Sequence, residues 1–302
     1  MYEKFQISEI SPERQAPGLR LALRDLDETQ FRTQVDALRE AENAELPAHT
    51  RLWGLFHEGN LAGAVLVQIQ PGRSAMVWPP RIIDGQPRQA AAQLLEAGLR
   101  ALGQADLGIA QALLPTDAGG DADMIRAAGF RHVSDLLYLV CPAHGFPDVQ
   151  PSSMLQFSPI GADHERRFAA LVEATYEGTL DCPAVNGLRS MEDVLQGYRA
   201  TGKYDPAWWL VVHRQGEAIG CLIVSDYPQY DTCELIYMGL VPAARRQGFG
   251  AAITGQAMWL AATARRQRLV VAVDAANTPA VKMYAAAGFQ AWDRKSVFLR
   301  VM

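Results

Sequence analysis

Leu235-Ile236-Tyr237-Met238-Gly239-Leu240-Val241-Pro242, followed two residues later by Arg245-Arg246-Gln247-Gly248-Phe249-Gly250, is the stretch of this 302-residue chain that decides its fold. The first part is apolar and β-prone, and Pro242, with no N–H to donate, ends it as a strand. The second part opens a helix. Phe249, Ile253, Ala257, Leu260 and Ala264 fall on one face of a 3.6-residue period, and Arg265, Arg266 and Arg268 at its C-terminal end complement the helix dipole. A strand, a short turn with two glycines and a helix N-terminus together make an anion site: side chains are absent where the anion approaches, and unpaired N–H groups point at it.

A diphosphate suits such a site, and the motifs that fail narrow the choice. A dinucleotide-binding G-x-G-x-x-G requires glycine at position 253, where Ile253 stands, and no Gly-Lys-Ser/Thr of a phosphate loop occurs. Arg245-x-x-Gly248-x-Gly250 after a strand and a proline instead resembles the pyrophosphate-binding element of the GNAT acetyltransferases. Downstream, Leu269–Val273 reads as a strand, and Asp274-Ala275-Ala276-Asn277-Thr278-Pro279 as a turn and helix start. A short helix over 280–287 stops at Gly288, and Phe289 opens a last strand. Asn277-x-x-Ala280-x-x-x-Tyr284-x-x-x-Gly288-Phe289 resembles a second GNAT motif in register with the first. Upstream lie two helices and a hairpin, Trp208–Val212 and Ala218–Val224 around Gly216, so the resemblance covers about residues 160–302.

The chain also repeats internally. Leu52 to His57 with Gly59 and Gly63 parallels Trp208 to His213 with Gly216 and Gly220, and Ala127-Ala128-Gly129-Phe130 parallels Ala286-Ala287-Gly288-Phe289. The offset stays between 156 and 159 residues, and a helix over 89–103 and a strand over 109–114 follow in matching order. The expected fold class is therefore α/β with a mixed sheet, as two tandem GNAT-like domains. Residues 1–141 form a degenerate copy without a cofactor loop, 142–159, with Pro142, Pro147, Pro151 and Pro159, a linker, and 160–302 the catalytic copy. In the first copy the loop position holds Trp78-Pro79-Pro80, whose prolines lack N–H groups, and Asp84, whose charge opposes a phosphate. Ile125 stands where Tyr284 stands in the second copy.

Composition excludes other classes. A net charge of −5 gives no basic footprint for nucleic acid. Cys141, Cys182, Cys221 and Cys233 form no C-x-x-C and no metal spacing with the histidines, which suits a reducing cytoplasm. The first residues lack an apolar leader core, and no apolar run reaches the roughly 18 residues of a membrane span. A cytoplasmic protein without membrane or metal is expected, as monomer or homodimer.

The resemblance implies acetyl-CoA as cofactor, coenzyme A as product, and transfer of the acetyl group to a small-molecule amine or an exposed protein amine by direct attack. It implies a strand over 234–241 that splays from its neighbour, with the backbone of Met238, Leu240 and Val241 on the pantetheine. An N–H at Met238 or Gly239 would polarise the thioester oxygen. Arg245, Arg246, Gln247, Gly248, Phe249, Gly250 and Ala251 would hold the pyrophosphate, with Asn277 nearby. Tyr284 matches the family's general acid, with a tyrosine packed on the core, its hydroxyl at the surface, as the lesser alternative. Glu234, 14 residues before Gly248, matches the strand base of the histone-acetylating branch. Alternation puts it on the face of Ile236 and Met238, where an apolar flank would raise its pKa. A solvated glutamate with water as base, or Asp274 as base, stays open. Tyr176, Glu177, Asp181 and Tyr227 lie in the segments that set acceptor specificity in this fold, and acidic and aromatic groups there suit a cationic amine. The rival class is a non-catalytic acyl-CoA-binding sensor or interaction module.

Overall fold

A computed structural model describes residues 5–38, 46–83, 88–103, 105–151, 154–161 and 164–302. Asp84, named above, lies outside them, as do Gly85, Gln86 and Pro87. The chain divides into two compact units: unit 1 runs to His132 and takes in Val297–Met302, and unit 2 is Val133–Ser296.

Unit 1 contains β1 (Phe5–Glu9), α1 (Gln15–Ala22), α2 (Glu28–Leu38), β2 (Thr50–His57), β3 (Asn60–Gln70), β4 (Ser74–Val77), β5 (Arg81–Ile82), α3 (Arg88–Leu102), β6 (Ile109–Pro115) and α4 (Gly119–Ala127). β7 (Arg131–Pro142) begins in unit 1 and runs on into unit 2, which adds β8 (Gln156–Pro159), α5 (Glu165–Ala174), α6 (Met191–Arg199), β9 (Trp209–Arg214), β10 (Glu217–Tyr227) and β11 (Thr232–Leu240). α7 (Phe249–Thr263), β12 (Arg268–Asp274), α8 (Thr278–Ala286) and β13 (Gln290–Val301) complete the chain, and the end of β13 belongs to unit 1.

The two sheets repeat one order. In unit 1 it is β1-β2-β3-β4-β6, and in unit 2 β8-β9-β10-β11-β12, with β4–β6 and β11–β12 parallel and the other pairs antiparallel. Both hairpin turns place two residues at positive φ, Glu58 (49°) and Gly59 (79°), and Gln215 (52°) and Gly216 (84°), which matches the twist of the flanking strands. The final strand of each repeat is exchanged. β7 pairs with β12 from Leu136↔Asp274 to Pro142↔Arg268, inside unit 2. The end of β13 serves unit 1, where Phe298 is 1% exposed among Leu94, Ile125 and Phe130 and the Met302 N–H donates to Gly108 O at 3.1 Å.

The compact units thus differ from boundaries drawn at 141/142 and 159/160. The proline-marked stretch holds the end of β7, with Cys141 buried, and β8, whose Phe157↔Val212 and Pro159↔Leu210 pairs make an edge strand. Proline is tolerated at such an edge; Pro142 and Pro159 belong to paired strands, whereas Pro147 and Pro151 lie in the connection between them.

Candidate active site

The site lies in unit 2, where β11 and β12 part. Their parallel pairing runs from Thr232↔Arg268 to Leu235↔Val271 and stops, although β11 continues to Leu240 and β12 to Asp274. A cavity of about 490 Å³ opens in the gap. It is lined by β11 residues from Leu235 to Leu240, by Val271 to Val273, by Thr175 and 178–181 after α5, and by the loop before α7 and one face of α8.

Register fixes what β11 offers this gap. The Val241 N–H donates to Ile219 O at 3.0 Å, and Leu240 opposes Gly220. In an antiparallel ladder bonded and non-bonded pairs alternate, so Gly239 and Val241 bond to β10 while the polar groups of Met238 and Leu240 turn the other way, into the gap. Leu240 O accepts from Arg245 Nε at 3.0 Å, which leaves the Leu240 N–H and both groups of Met238. Of the two N–H groups that the sequence left open, that of Met238 faces the gap.

The mouth is formed by the turn before α7. Arg246 (φ 61°) and the N-cap Gly248 (φ 80°) both adopt the left-handed conformation, which curls the chain so that successive amides face outward. Ala251 N–H bonds to Gly248 O at 3.2 Å, whereas the N–H groups of 246–250 have no acceptor among the described residues. Gly250 lets α7 approach α8 closely: a Cβ there would stand 2.7 Å from Met283 Sδ and displace that side chain. Five free amides at a helix N-terminus, beside an unpaired strand edge, are a donor set that fits a diphosphate with an extended amide-bearing arm.

Arg245 does something the sequence did not suggest. Its guanidinium donates to Leu240 O (3.0 Å), Gly178 O (3.0 Å) and Thr175 O (2.9 Å), tying the segment after α5 to the end of β11. Gln247 is also occupied, accepting from Arg214 Nη1 and donating to Ala243 O, while Phe249 is buried in the core. Arg246, Gly248, Gly250 and Ala251 line the cavity, as does Asn277, whose side chain caps α8 by accepting from the Ala280 N–H. Val241 does not line it, its N–H being spent on β10.

Tyr284 lines the cavity and is 4% exposed. Burial, reinforced by the Asp181 carboxylate, holds its phenol well above the ordinary tyrosine pKa. Glu234 lies elsewhere, on the paired part of β11 opposite Val270, and does not line the cavity. Its Oε2 accepts from Tyr227 Oη at 2.9 Å, and burial raises its pKa. The expected face is corrected by a bulge: Val224 opposes Leu235 and Ile223 opposes Tyr237, leaving Ile236 as the extra residue. Leu235 and Met238 consequently pack into one core cluster, and Ile236 and Tyr237 into another, so Glu234 and Met238 fall on opposite faces.

The acceptor-side residues separate. Glu177 is exposed and off the cavity. Tyr176 is half-buried, its hydroxyl 2.8 Å from that of Tyr198 and its ring edge-on to Tyr237. Tyr227 serves Glu234. Asp181 alone of the four lines the cavity. Its Oδ1 accepts from the Asp274 N–H at 2.9 Å, and Asp274 returns the bond by accepting the Cys182 N–H at 3.0 Å. Asp274 also accepts the Ala276 N–H, so both its oxygens are engaged in holding the turn. The Cys182 thiol, pushed up to about 12 by burial, holds its proton at neutral pH. Thr175 and Thr179 line the cavity within the segment expected to face the acceptor, whereas sequence reasoning missed Met283 as a cavity wall. Positive φ at Gly178 (59°) and Cys182 (43°) bends the segment that lines the cavity, and of the two only the glycine marks such a conformation by residue type.

Residues 172–289 match the acetyltransferase (GNAT) family. That segment, within unit 2, is a GNAT acetyltransferase domain. No match is found among curated proteins by sequence. Similar solved structures include a GCN5-related N-acetyltransferase from Sphaerobacter thermophilus, at 16% identity and TM-score 0.67, covering 98% of this chain and 95% of that one. A tandem GNAT protein from the clavulanic acid biosynthesis pathway matches at 15% identity and TM-score 0.54, covering 99% and 98%. The GCN5-related glucosamine N-acetyltransferase region of a fungal multi-domain GH3 β-N-acetylglucosaminidase matches at 13% and 0.68, covering 99% of this chain and 38% of that one. At these identities the likeness establishes the fold, two GNAT domains in tandem.

Proposed function

We propose that unit 2 is an acetyl-CoA-dependent N-acetyltransferase, acting on the amine of a small molecule or an exposed protein amine by direct attack in a ternary complex. The observation that carries this reading is the meeting, around one cavity, of the turn 246–250 with its free amides, the unpaired backbone of Met238, and Tyr284. Bound there, acetyl-CoA would supply a thioester whose carbonyl an amine can attack. The amides over 246–250 and the dipole of α7 would carry the pyrophosphate, and Met238 and the Leu240 N–H would bond the pantetheine arm as a further strand would. Tyr284 acts as general acid: its raised pKa keeps the proton on Oη at neutral pH, available to the departing sulfur. A buried, cavity-facing acid favours an enzyme over a sensor that only binds the cofactor.

Unit 1 is proposed to bind no acetyl-CoA. Arg81, in the segment that replaces the glycine loop, donates to both carboxylate oxygens of Asp121 (2.9 and 2.7 Å) in the first turn of α4 and to Asp25 Oδ2 (2.6 Å). α4 corresponds to α8 of unit 2, and Ile125, fully buried, stands at the Tyr284 position with no proton to give. The full reading is tested by assaying free thiol release from acetyl-CoA with a panel of primary amines and amine-bearing peptides. Turnover with at least one amine supports it, and cofactor binding without turnover by any amine would return the site to the sensor class.

A further inference from the structure

Two carboxylates compete for the role of base, and only one is in the cavity. Asp181 shares the lining with Tyr284, while Glu234 sits on the paired part of β11 with its carboxylate bonded to Tyr227. The Asp181 carboxylate is held at one oxygen only: Oδ1 accepts the Asp274 N–H, and Oδ2 has no donor among the described residues. Its backbone is fixed by its own N–H to Thr179 Oγ1 (3.1 Å), the Cys182 N–H to Asp274, and Arg245 gripping Gly178 O. The charged and titratable groups around it are Asp274, whose oxygens are engaged, Tyr176, Tyr237, Tyr284 and Cys182. Arg245 and Arg246 line the same cavity, but Arg245 is spent on three carbonyls and neither forms an ion pair with Asp181. A desolvated carboxylate without a cation, oriented by one backbone N–H, is an incomplete site that an ammonium group completes.

We infer that Asp181 is the group that takes up the acceptor as its ammonium ion and removes the proton that makes the nitrogen nucleophilic. The inference rests on the acetyltransferase reading above and names its acceptor class, an amine that is cationic at neutral pH. Asp181 Oδ2 accepts one proton from R–NH3+. The freed lone pair forms the N–C bond as the C–S bond breaks, Tyr284 Oη gives its proton to the sulfur, and the second proton lost by the nitrogen restores the phenol. The net yield is an amide, a free thiol and one proton on Asp181, later lost to solvent. Burial raises the Asp181 pKa from the ordinary aspartate value, bringing the carboxylate nearer the basicity this task needs.

The test uses the full chain, D181N and D181A, with 2-phenylethylamine as cationic probe, aniline as neutral probe and the panel above. D181N keeps an oxygen for the Asp274 N–H and is expected to lose about 100-fold in kcat/KM with cationic amines and only a few-fold with aniline. Acetyl-CoA affinity should be unchanged, and the limb of the pH profile that rises with Asp181 ionisation should vanish. A second arm needs no turnover. Because the folded-state pKa is raised, ionising Asp181 costs stability as pH rises through it, so D181N should gain stability relative to wild type between acidic and mildly alkaline pH. Equal losses with both probes, an unchanged pH profile, or a loss of stability in D181N that is the same at every pH would overturn the assignment. A wild-type protein that acetylates no amine overturns the functional reading first, and the role of Asp181 with it.

Discussion

Replacing Arg245 separates two roles that a sequence motif merges. As the first residue of Arg245-x-x-Gly248-x-Gly250 it is expected to contact a phosphate, yet its Nε, Nη1 and Nη2 donate to Leu240, Gly178 and Thr175 carbonyls. A hydrogen bond from a charged donor contributes about 1.5–3 kcal/mol net, and the three cannot add fully because water reaches exposed carbonyls once the side chain is gone. Thr175 is 2% exposed, so its carbonyl is the least easily compensated. A combined loss of about 2–4 kcal/mol is expected for Arg245→Ala, or roughly 4–16 °C in Tm. Arg245→Lys should lose nearly as much, since an ammonium cannot span three carbonyls with the geometry of a planar fork, whereas a point contact to phosphate would survive in lysine. Thermal unfolding without ligand and calorimetric titration with acetyl-CoA over a salt series make the comparison. Wild-type stability in both variants, with alanine alone weakening acetyl-CoA binding and flattening its salt dependence, would refute the clamp.

Tyr284→Phe should lower kcat by on the order of 100-fold with little change in acetyl-CoA affinity, read by steady-state thiol release and direct titration. Gly250→Val should weaken acetyl-CoA binding, because its branched side chain begins 2.7 Å from Met283 Sδ and displaces the Met283 side chain, a wall of the cavity; equal affinity would remove the need for that close approach. Glu234, with a raised folded-state pKa, loses stability as pH rises through that value, so Glu234→Gln should be stabilised relative to wild type at alkaline pH and keep the pH profile of kcat/KM. Loss of the acidic limb in that variant would restore it as the base. Phe298→Ala should cost about 3–5 kcal/mol in the unfolding of unit 1 and leave acetyl-CoA affinity intact, a result checked by denaturation with and without cofactor.

Much of this was legible because it depends on local rules. Pro242 ends β11, Gly248 and Gly250 shape the turn, and Gly288 (φ 91°) stops α8 where sequence placed the cap. The strand-exchange was not legible, since Phe298 and Leu139 are equally apolar and nothing in either names the sheet that buries it. The face of Glu234 was misread because alternation assumes an unbroken ladder, and the bulge at Ile236 leaves no mark in residue type. Arg245 was read by its motif position, while its bonds depend on where the segment after α5 folds back. The exchange also bears on dissection: residues 160–302 alone lack β7, the partner of β12, and should be less soluble and less stable than the whole chain.

Calorimetric titration of the intact chain with acetyl-CoA tests the central claim most directly. One molecule bound per chain, with affinity weakened by Gly250→Val and untouched by Arg81→Ala in unit 1, is the predicted result. Two molecules per chain, or none, would contradict the account.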